Sequence, residues 1–450
     1  MKNKSIKQIL KYFYYKIPDY YRLGNSFKKK YDFLEKSQWY SEQEIKEFQL
    51  KKLKEIIEYS YKNVPYYTKL FNKINLKPED IKDLEDIKKI PYLTKSIIKN
   101  NINDLVSKEY INKEKKLVAT GGSTGMPLEF YIDFKKDKIN EWAFITSMWS
   151  RIGYNVRKNE RSVIIKGYKP KKGIAEYNAN NLILSSYLIS NYFIKEYIDR
   201  INKFNPKFIQ AYPSSITLLC KYIKQNNLKL EVNNLKAIIC PSEMLYDSQR
   251  EIIEEVFGVR VYTFYGHTEH CCIGGECEES HYYHLNYEYG YTELLNNDNN
   301  VKNEDEIGEL VATSFNNYVM PFIRYKTGDL AINTNKKCVC GRNYKIIKKL
   351  YGRSQEYFVK KNRELMTFMY SDVPLWCIKD KLVNYQYIQN EPGKIILNIN
   401  SNDNIEDYLN EIRKEFNKYY GELDLEINQV DNIERTKRGK FKFLIQNLEF

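Results

Sequence analysis

Over the first 110 or so residues, apolar positions recur at helical spacing. The run SEQEIKEFQLKKLKEIIEYSYKNV carries them three and four apart with acidic residues early, and Ser41 followed by Glu44 forms a capping-box pattern. Pro65, Pro78 and Pro91 then punctuate the chain. From about 116 the texture changes to short β-rich runs (KLVAT, LEFYI, SVIIKG, KAIIC, VRVYTFYG) separated by helical stretches such as DSQREIIEEVF. Strands alternating with helices predict an α/β core. Closely spaced strand candidates with Gly and Asn turns between 283 and 335 predict a smaller β-rich subdomain. Beyond 353, KIILNIN, NIEDYLNEIRKEFNKYYG and LDLEINQV read as strand, helix and strand, a small α+β lid. The expected division is a helical region at 1–115, an α/β core at 116–352 and a lid at 353–450.

Composition narrows the classes. An apolar share of 42% and a charged share of 29% exclude a disordered chain. A mean hydropathy of −0.62, with no apolar run near 18 residues, excludes a spanning helix. Lysines interrupt MKNKSIKQILKYFYYKI before any signal-peptide core can form, so the expected location is cytoplasmic. Seventy-two Lys and Arg against 58 Asp and Glu give a formal +14, a balance that favours anionic partners. Lys nevertheless alternates with Glu and Asp along the chain, as on a solvated surface, and no nucleic-acid partner is expected. The basic, aromatic N-terminus either lies on a membrane surface or packs as a first helix on the core.

Three segments carry chemistry. Thr120-Gly121-Gly122-Ser123-Thr124-Gly125-Met126-Pro127 lies between two strand-like runs. Its glycines let backbone N–H groups converge on an oxyanion and its hydroxyls add donors, which suits a polyphosphate. It lacks the Gly-Lys-Ser/Thr of a Walker A loop, and alone it also reads as an ordinary turn. Tyr265-Gly266-His267-Thr268-Glu269 ends a strand. A carboxylate there can hold Mg²⁺ beside substrate phosphates, and the tyrosine can stack on a base; the alternative is a turn with Glu269 solvated. In Arg324-Tyr325-Lys326-Thr327-Gly328-Asp329-Leu330, Asp329 can accept from both ribose hydroxyls and Arg324 can neutralise phosphate.

Taken in order with Tyr212-Pro213-Ser214-Ser215, Ser242-Glu243, Gly352-Arg353 and the terminal Arg435-Thr436-Lys437-Arg438-Gly439-Lys440, these segments resemble the adenylate-forming (AMP-producing acid–thiol ligase) superfamily. Within it the likeness is to the phenylacetate–coenzyme A ligase branch, including the CapK-like proteins of polysaccharide gene clusters, over about residues 50–450. The resemblance implies a large N-terminal α/β domain with a β-rich subdomain and a mobile α+β lid. It implies an enzyme that activates a carboxylic acid with Mg·ATP to an acyl-adenylate and passes the acyl group to a thiol such as coenzyme A. Alternatives are acyl or adenylyl transfer to a sugar, cofactor or carrier protein, and a non-catalytic binding member of such an assembly.

Carried over by position, the resemblance implies that Thr120, Gly121, Gly122, Ser123, Thr124 and Gly125 hold the ATP phosphates. Tyr265 and Gly266 meet the adenine, with Ser242 and Glu243 in the neighbouring wall. Thr268 contacts the α-phosphate, Glu269 binds Mg²⁺, and Asp329 with Arg353 takes the ribose. Lys440 arrives from the lid, which rotates about residues near Ser354–Glu356. Trp142, Phe144, Tyr168, Tyr212 and His267 are the acyl-pocket candidates. Gln355-Glu356 stands where the family more often has an Asp-Asp pair, and Lys437, Arg438 and Lys442 crowd Lys440.

All four histidines, His267, His270, His281 and His284, fall between 267 and 284, together with Cys271, Cys272 and Cys277; Cys338 and Cys340 follow on a predicted turn. Thiolate plus imidazole in a reducing compartment favours tetrahedral Zn²⁺. Cys277, His284, Cys338 and Cys340 make a structural Cys₃His set, with His281 as the replacement for His284; packing thiols with exposed imidazoles are the alternative.

Overall fold

The computed structural model describes residues 13–120, 128–170, 172–178, 180–353, 357–363, 365–367, 373–379, 381–434 and 442–448. Two compact units emerge, one of residues 1–160 with 262–351, the other of 161–261 with 352–450. The expected 116–352 stretch therefore contributes to both, because the strands between residues 162 and 241 gather around a hydrophobic cluster separate from that of the strands around them in sequence.

In the first unit, helix Glu42–Asn63 starts at the expected capping box. The Glu44 N–H donates to the Ser41 hydroxyl at 3.3 Å, and the Ser41 N–H donates to the Glu44 carboxylate at 2.8 Å. Its apolar stripe, Leu53, Ile56 and Ile57, packs in one cluster with Tyr67, Phe71, Phe322 and Tyr325. The sheet runs Asn299–Asn300, Gly290–Asn296, Ile307–Ser314, Tyr325–Asn333, Lys345–Arg353, Tyr283–Leu285, Ile273–Gly275, Val261–Gly266. Every pair with a defined register is antiparallel. Helices Gly24–Ser37 and Phe134–Ser150 form a second cluster through Phe27, Tyr31, Phe144 and Met148 with Ile273 and Tyr289. Gly290 has to be glycine: the carbonyls of Cys271 and Thr313 occupy the place of a Cβ, and that close approach presses the 270–272 turn onto the sheet.

The second unit opens with a mainly parallel sheet, ordered Ala237–Pro241, Phe208–Ala211, Ser162–Lys166, Asn181–Ser185, Ala175–Asn178; only the last pair is antiparallel. Helices Ile194–Phe204, Pro213–Gln225 and Asp247–Phe257 follow the strands and share their core, as the alternation predicted. Its C-terminal part has a core of its own. There Asp424–Gln429, Lys394–Ser401, Leu382–Glu391 and Leu444–Gln446 line up beside helix Leu409–Tyr420, with Phe358, Tyr387, Leu397, Ile412 and Phe416 buried between them. Val383 packs into the parallel-sheet cluster, and the Lys221 ammonium reaches the Leu382 carbonyl. The architecture is thus mixed α/β, a large N-terminal domain followed by a smaller C-terminal one.

Candidate active site

Strand Val261–Gly266 alternates buried and less buried residues and ends by delivering Tyr265 inward. The chain then turns, with the His270 N–H donating to the His267 carbonyl at 3.1 Å, and Glu269 is left 7% exposed. Strand Tyr325–Asn333 alternates just as regularly, so Tyr325, Thr327 and Asp329 share one buried face. Two hydrogen bonds cross between these segments. The Tyr265 hydroxyl donates to Asp329 Oδ2 at 2.7 Å, and the Tyr325 hydroxyl donates to Glu269 Oε1 at 2.8 Å. Each carboxylate is held by the tyrosine of the other's segment.

His267 stands between the two tyrosines, its ring centroid 5.7 Å from that of Tyr265 and 6.5 Å from that of Tyr325. The Cys272 N–H donates to its Nε2 at 3.3 Å, so Nδ1 carries the hydrogen and donates to Glu269 Oε2 at 3.2 Å. Burial works against ionisation of Glu269. The His267 hydrogen bond, the charge His267 carries when protonated, and the Tyr325 hydroxyl outweigh it and bring the carboxyl down to about 2. Burial, reinforced by Asp329, pushes the Tyr265 phenol well above its ordinary value, so it stays a donor. Glu269 fits a divalent cation: a carboxylate has about four lone-pair sites, and the two donors here occupy one on each oxygen.

Around this centre the other predicted residues are distributed unevenly. Thr120 closes the base of its loop. Its N–H donates to the Leu128 carbonyl and its hydroxyl accepts from the Leu128 N–H, both at 2.9 Å, at the end of the hairpin Lys116–Ala119 and Glu129–Ile132. Gly121 to Gly125 and Lys440 lie outside the described residues, as does the side chain of Arg353, whose backbone ends strand Lys345–Arg353. Thr268 is half-buried between His267 and Glu269. In the second unit, Ser242 and Glu243 follow strand Ala237–Pro241, and Glu243 accepts from the Ser214 N–H at 3.1 Å, at the start of helix Pro213–Gln225. That bond joins two of the predicted motifs.

The proposed acyl-pocket residues are not gathered in one unit. Tyr168 and Tyr212 belong to the second, whereas Trp142, Phe144 and His267 belong to the first. The Trp142 indole N–H donates to Asp19 at 2.6 Å and its ring lies edge-on to Trp149, while Phe144 is fully buried against Tyr289. His267 faces Glu269. Arg324 needs correction: it is no free phosphate ligand. Its Nε and Nη2 pair with Glu293 at 3.0 and 2.9 Å, and its Nη1 donates to the carbonyls of Lys88 and Ile90 at 3.2 and 2.9 Å. The guanidinium lies over Tyr92 with its donors used, binding the N-terminal region to the sheet.

Sequence reasoning missed Tyr325 as a holder of Glu269, although the signal was present. Period-two alternation puts position 325 on the face of Asp329 two steps away.

A second cluster lies in the same unit. The ligand atoms of Cys277, His284, Cys338 and Cys340 all fall within 4.8 Å of one another. Cys277 Sγ is 3.6 Å from Cys338 Sγ, and Cys340 Sγ is 3.3 Å from His284 Nε2. Bonds of about 2.3 Å to a tetrahedral ion would space sulfurs by about 3.8 Å, so the set fits Zn²⁺. His284 Nδ1 is 3.1 Å from the Tyr282 carbonyl, which fixes the tautomer that leaves Nε2 free to ligate. Burial opposes ionisation of Cys277 and Cys340, but hydrogen bonds from His284 and Ser280 lower the first, and the Arg342 backbone and side chain lower the second. His281 is not the fourth ligand; its side chain is half exposed and faces Glu276 at 3.4 Å.

Residues 358–447 match the family model described as CapK C-terminal domain. Protein CapK of Staphylococcus aureus is 27% identical over 391 residues, 84% of each chain. Phenylacetate-coenzyme A ligase of Pseudomonas putida is 26% identical over 63% of this chain and 64% of its own. Among solved structures, 2-hydroxyisobutyryl-CoA ligase in the postadenylation state, in complex with R3-HIB-AMP, superposes with a TM-score of 0.69 at 17% identity, covering 91% of this chain and 90% of that one. CapK and the Pseudomonas putida ligase are sequence relatives; the solved structure shows the fold.

Proposed function

Because the chain is related to CapK and to the phenylacetate–coenzyme A ligases and has the fold of adenylate-forming ligases, we propose that it activates a carboxylic acid with Mg·ATP, releasing pyrophosphate and forming an acyl-adenylate, and then transfers the acyl group to coenzyme A. The crossed tyrosine–carboxylate pair carries this reading. In it Asp329 binds the ribose, Glu269 takes the cation, Thr268 meets the α-phosphate and Tyr265 borders the adenine. Thr120 with Gly121–Gly125 holds the outer phosphates; Ser242, Glu243 and Arg353 complete the nucleotide site. Trp142, Tyr168, Tyr212 and His267 are proposed around the acyl group, and residues 353–450 act as the lid that brings Lys440.

The substrate carboxylate is the nucleophile, so the chain needs no nucleophile of its own. Its residues have to orient the acid oxygen against the α-phosphorus and hold fixed charges where negative charge accumulates. Bound Mg²⁺ supplies charge neutralisation on the phosphoryl oxygens. Glu269, kept ionised by His267 and Tyr325, is ready for that ion without a preceding proton loss. The Cys/His cluster has four protein ligands and is read as structural zinc.

Carboxylate-dependent ATP–pyrophosphate exchange over a panel of aryl, acyl and amino acids tests the proposal. Exchange with at least one acid, abolished by Glu269→Gln and by Asp329→Asn, is expected; a folded wild-type protein inert with every acid overturns it. The CapK match at 358–447 favours a second reading, in which the C-terminal domain receives a sugar, cofactor or carrier protein in surface-polysaccharide synthesis instead of coenzyme A. Mass analysis of the product separates the two.

A further inference from the structure

Strands Ile307–Ser314 and Tyr325–Asn333 pair Glu309 with Leu330 and Val311 with Lys326. Leu310 alone therefore faces Thr327, Gly328 and Asp329, and the ladder breaks into a bulge at the acid of the proposed nucleotide site. Gly328 takes the left-handed conformation there, with φ 77°. Side chains take up backbone groups along the bulge. The Gly328 N–H donates to Glu309 Oε1 at 3.1 Å, the Asp329 N–H to Thr327 Oγ1 at 3.0 Å, and the Thr327 hydroxyl to the Leu310 carbonyl at 2.7 Å. Glu309 is steadied in turn: Lys326 Nζ stands 3.8 Å from its Oε2 and 4.4 Å from the Tyr92 ring centroid. Beside Glu309 lies a cavity of about 500 Å³, bordered also by Tyr92, Asp298 and Leu330, so this side chain fills no tightly packed position.

We propose that Glu309 is a positioning residue for the nucleotide: through the Gly328 N–H it fixes the bulge that presents Asp329 to the ribose hydroxyls. The inference rests on the reading of Asp329 as the ribose acceptor. The Tyr265 hydroxyl holds Asp329 Oδ2 at 2.7 Å and so pins the head of that side chain. Its root is set by the backbone of the bulge. A glycine in the left-handed region has the widest conformational freedom of any residue, so a bulge centred on it stays loose unless its N–H is tied. A carboxylate suits that tie, because hydrogen bonds to an ionised acceptor are roughly twice as strong as neutral ones. Strand alternation turns Thr327 and Asp329 to the buried face and Lys326, Gly328 and Leu330 to the other. Glu309 therefore acts from behind the strand, without touching the nucleotide. Simultaneous acceptance from two neighbouring hydroxyls tolerates little displacement, which is why a support one residue away registers in binding.

The test compares, by calorimetry on the full chain, the binding of Mg·ATP with that of Mg·2′,3′-dideoxy-ATP, which lacks both ribose hydroxyls. The wild type should favour ATP by at least about tenfold, since hydrogen bonds to a charged acceptor are at stake. Glu309→Leu should lose about tenfold in affinity for ATP while dideoxy-ATP binds as before, so that the preference shrinks toward parity. Glu309→Gln keeps an acceptor for the Gly328 N–H and should retain most of the preference. Thr327→Val removes the acceptor of the Asp329 N–H and should shrink the preference as Glu309→Leu does; it carries the test where the leucine variant fails to fold, which melting curves establish. A preference that survives intact in these folded variants overturns the proposal. So does an equal loss for both nucleotides, which marks a role in the scaffold only. Glutamine as damaging as leucine overturns the hydrogen-bond account. A wild type that binds the two nucleotides equally, or neither, overturns instead the ribose assignment of Asp329 on which the proposal stands.

Discussion

Tyr325→Phe isolates one contact of the proposed active site. The ring that packs against Phe322 at a centroid distance of 5.2 Å is retained, and only the hydroxyl 2.8 Å from Glu269 Oε1 is lost. A hydrogen bond to a charged, buried acceptor is worth about 1.5–3 kcal/mol, and about 1.4 kcal/mol corresponds to one pH unit of a titration. Glu269 lies below its ordinary carboxylate value. Its stabilising contribution is therefore complete above the ordinary range near 4.5 and is lost as the pH falls through about 2. In the variant the loss should still begin near 4.5 but be complete about one to two pH units higher, so that its total is smaller. The melting temperature near neutrality should fall by roughly 2–4 °C per kcal/mol. If Glu269 also holds the cation of Mg·ATP, exchange at saturating ATP should need about tenfold more Mg²⁺, while the KM for the acid stays nearly constant. Melting curves from pH 3 to 8 and exchange rates over a Mg²⁺ titration give both readouts. Parallel pH profiles for the two proteins, with an unchanged Mg²⁺ requirement, would show that the hydroxyl only packs.

Cys338→Ser, or a strong chelator applied to the wild type, should release about one zinc per chain and lower the melting temperature; metal analysis showing no zinc in freshly purified protein rejects the site. Arg324→Lys should destabilise the protein markedly, since one ammonium cannot reproduce the bidentate pair with Glu293 and also reach two backbone carbonyls, yet leave the KM for ATP in surviving enzyme unchanged. A large rise in that KM would restore Arg324 to the phosphate site. Asp137, one turn into helix Phe134–Ser150, has a buried Oδ2 without a partner, and burial with Asp133 nearby raises its carboxyl to about 7. A raised value favours folding fully below the ordinary range near 3.8, and that advantage is lost as the pH rises through about 7. Asp137→Asn should accordingly stabilise by roughly 2–4 kcal/mol at pH 8 and little at pH 4; equal effects at both would refute the buried-acid account.

Local order in the sequence translated well into structure. The Ser41–Glu44 box, the run DSQREIIEEVF and the strand at KIILNIN depend on neighbours within a few residues, and all three stand where pattern placed them. Order set by distant partners was less legible. Arg324 follows an apolar turn and precedes a Thr-Gly-Asp segment, which suggested phosphate, but its partners are a carboxylate 31 residues earlier and carbonyls more than 230 residues earlier. The Cys₃His set was legible because thiols and imidazoles crowd into few segments. His284 was already preferred to His281 there, and the hairpin register accordingly turns the first inward and leaves the second at the surface. Division of the chain after residue 261 leaves no mark in composition, since it falls within a continuous strand.

The exchange of tyrosines between the two carboxylate-bearing segments makes the site behave like a caliper. Neither jaw can slide along the sheet by itself, because Tyr265 would drag Asp329 and Tyr325 would drag Glu269. The gap between the acids is consequently a property of the scaffold rather than of whatever occupies it. Variants that refit the pocket to a larger or smaller guest should therefore succeed on the walls and fail on this pair.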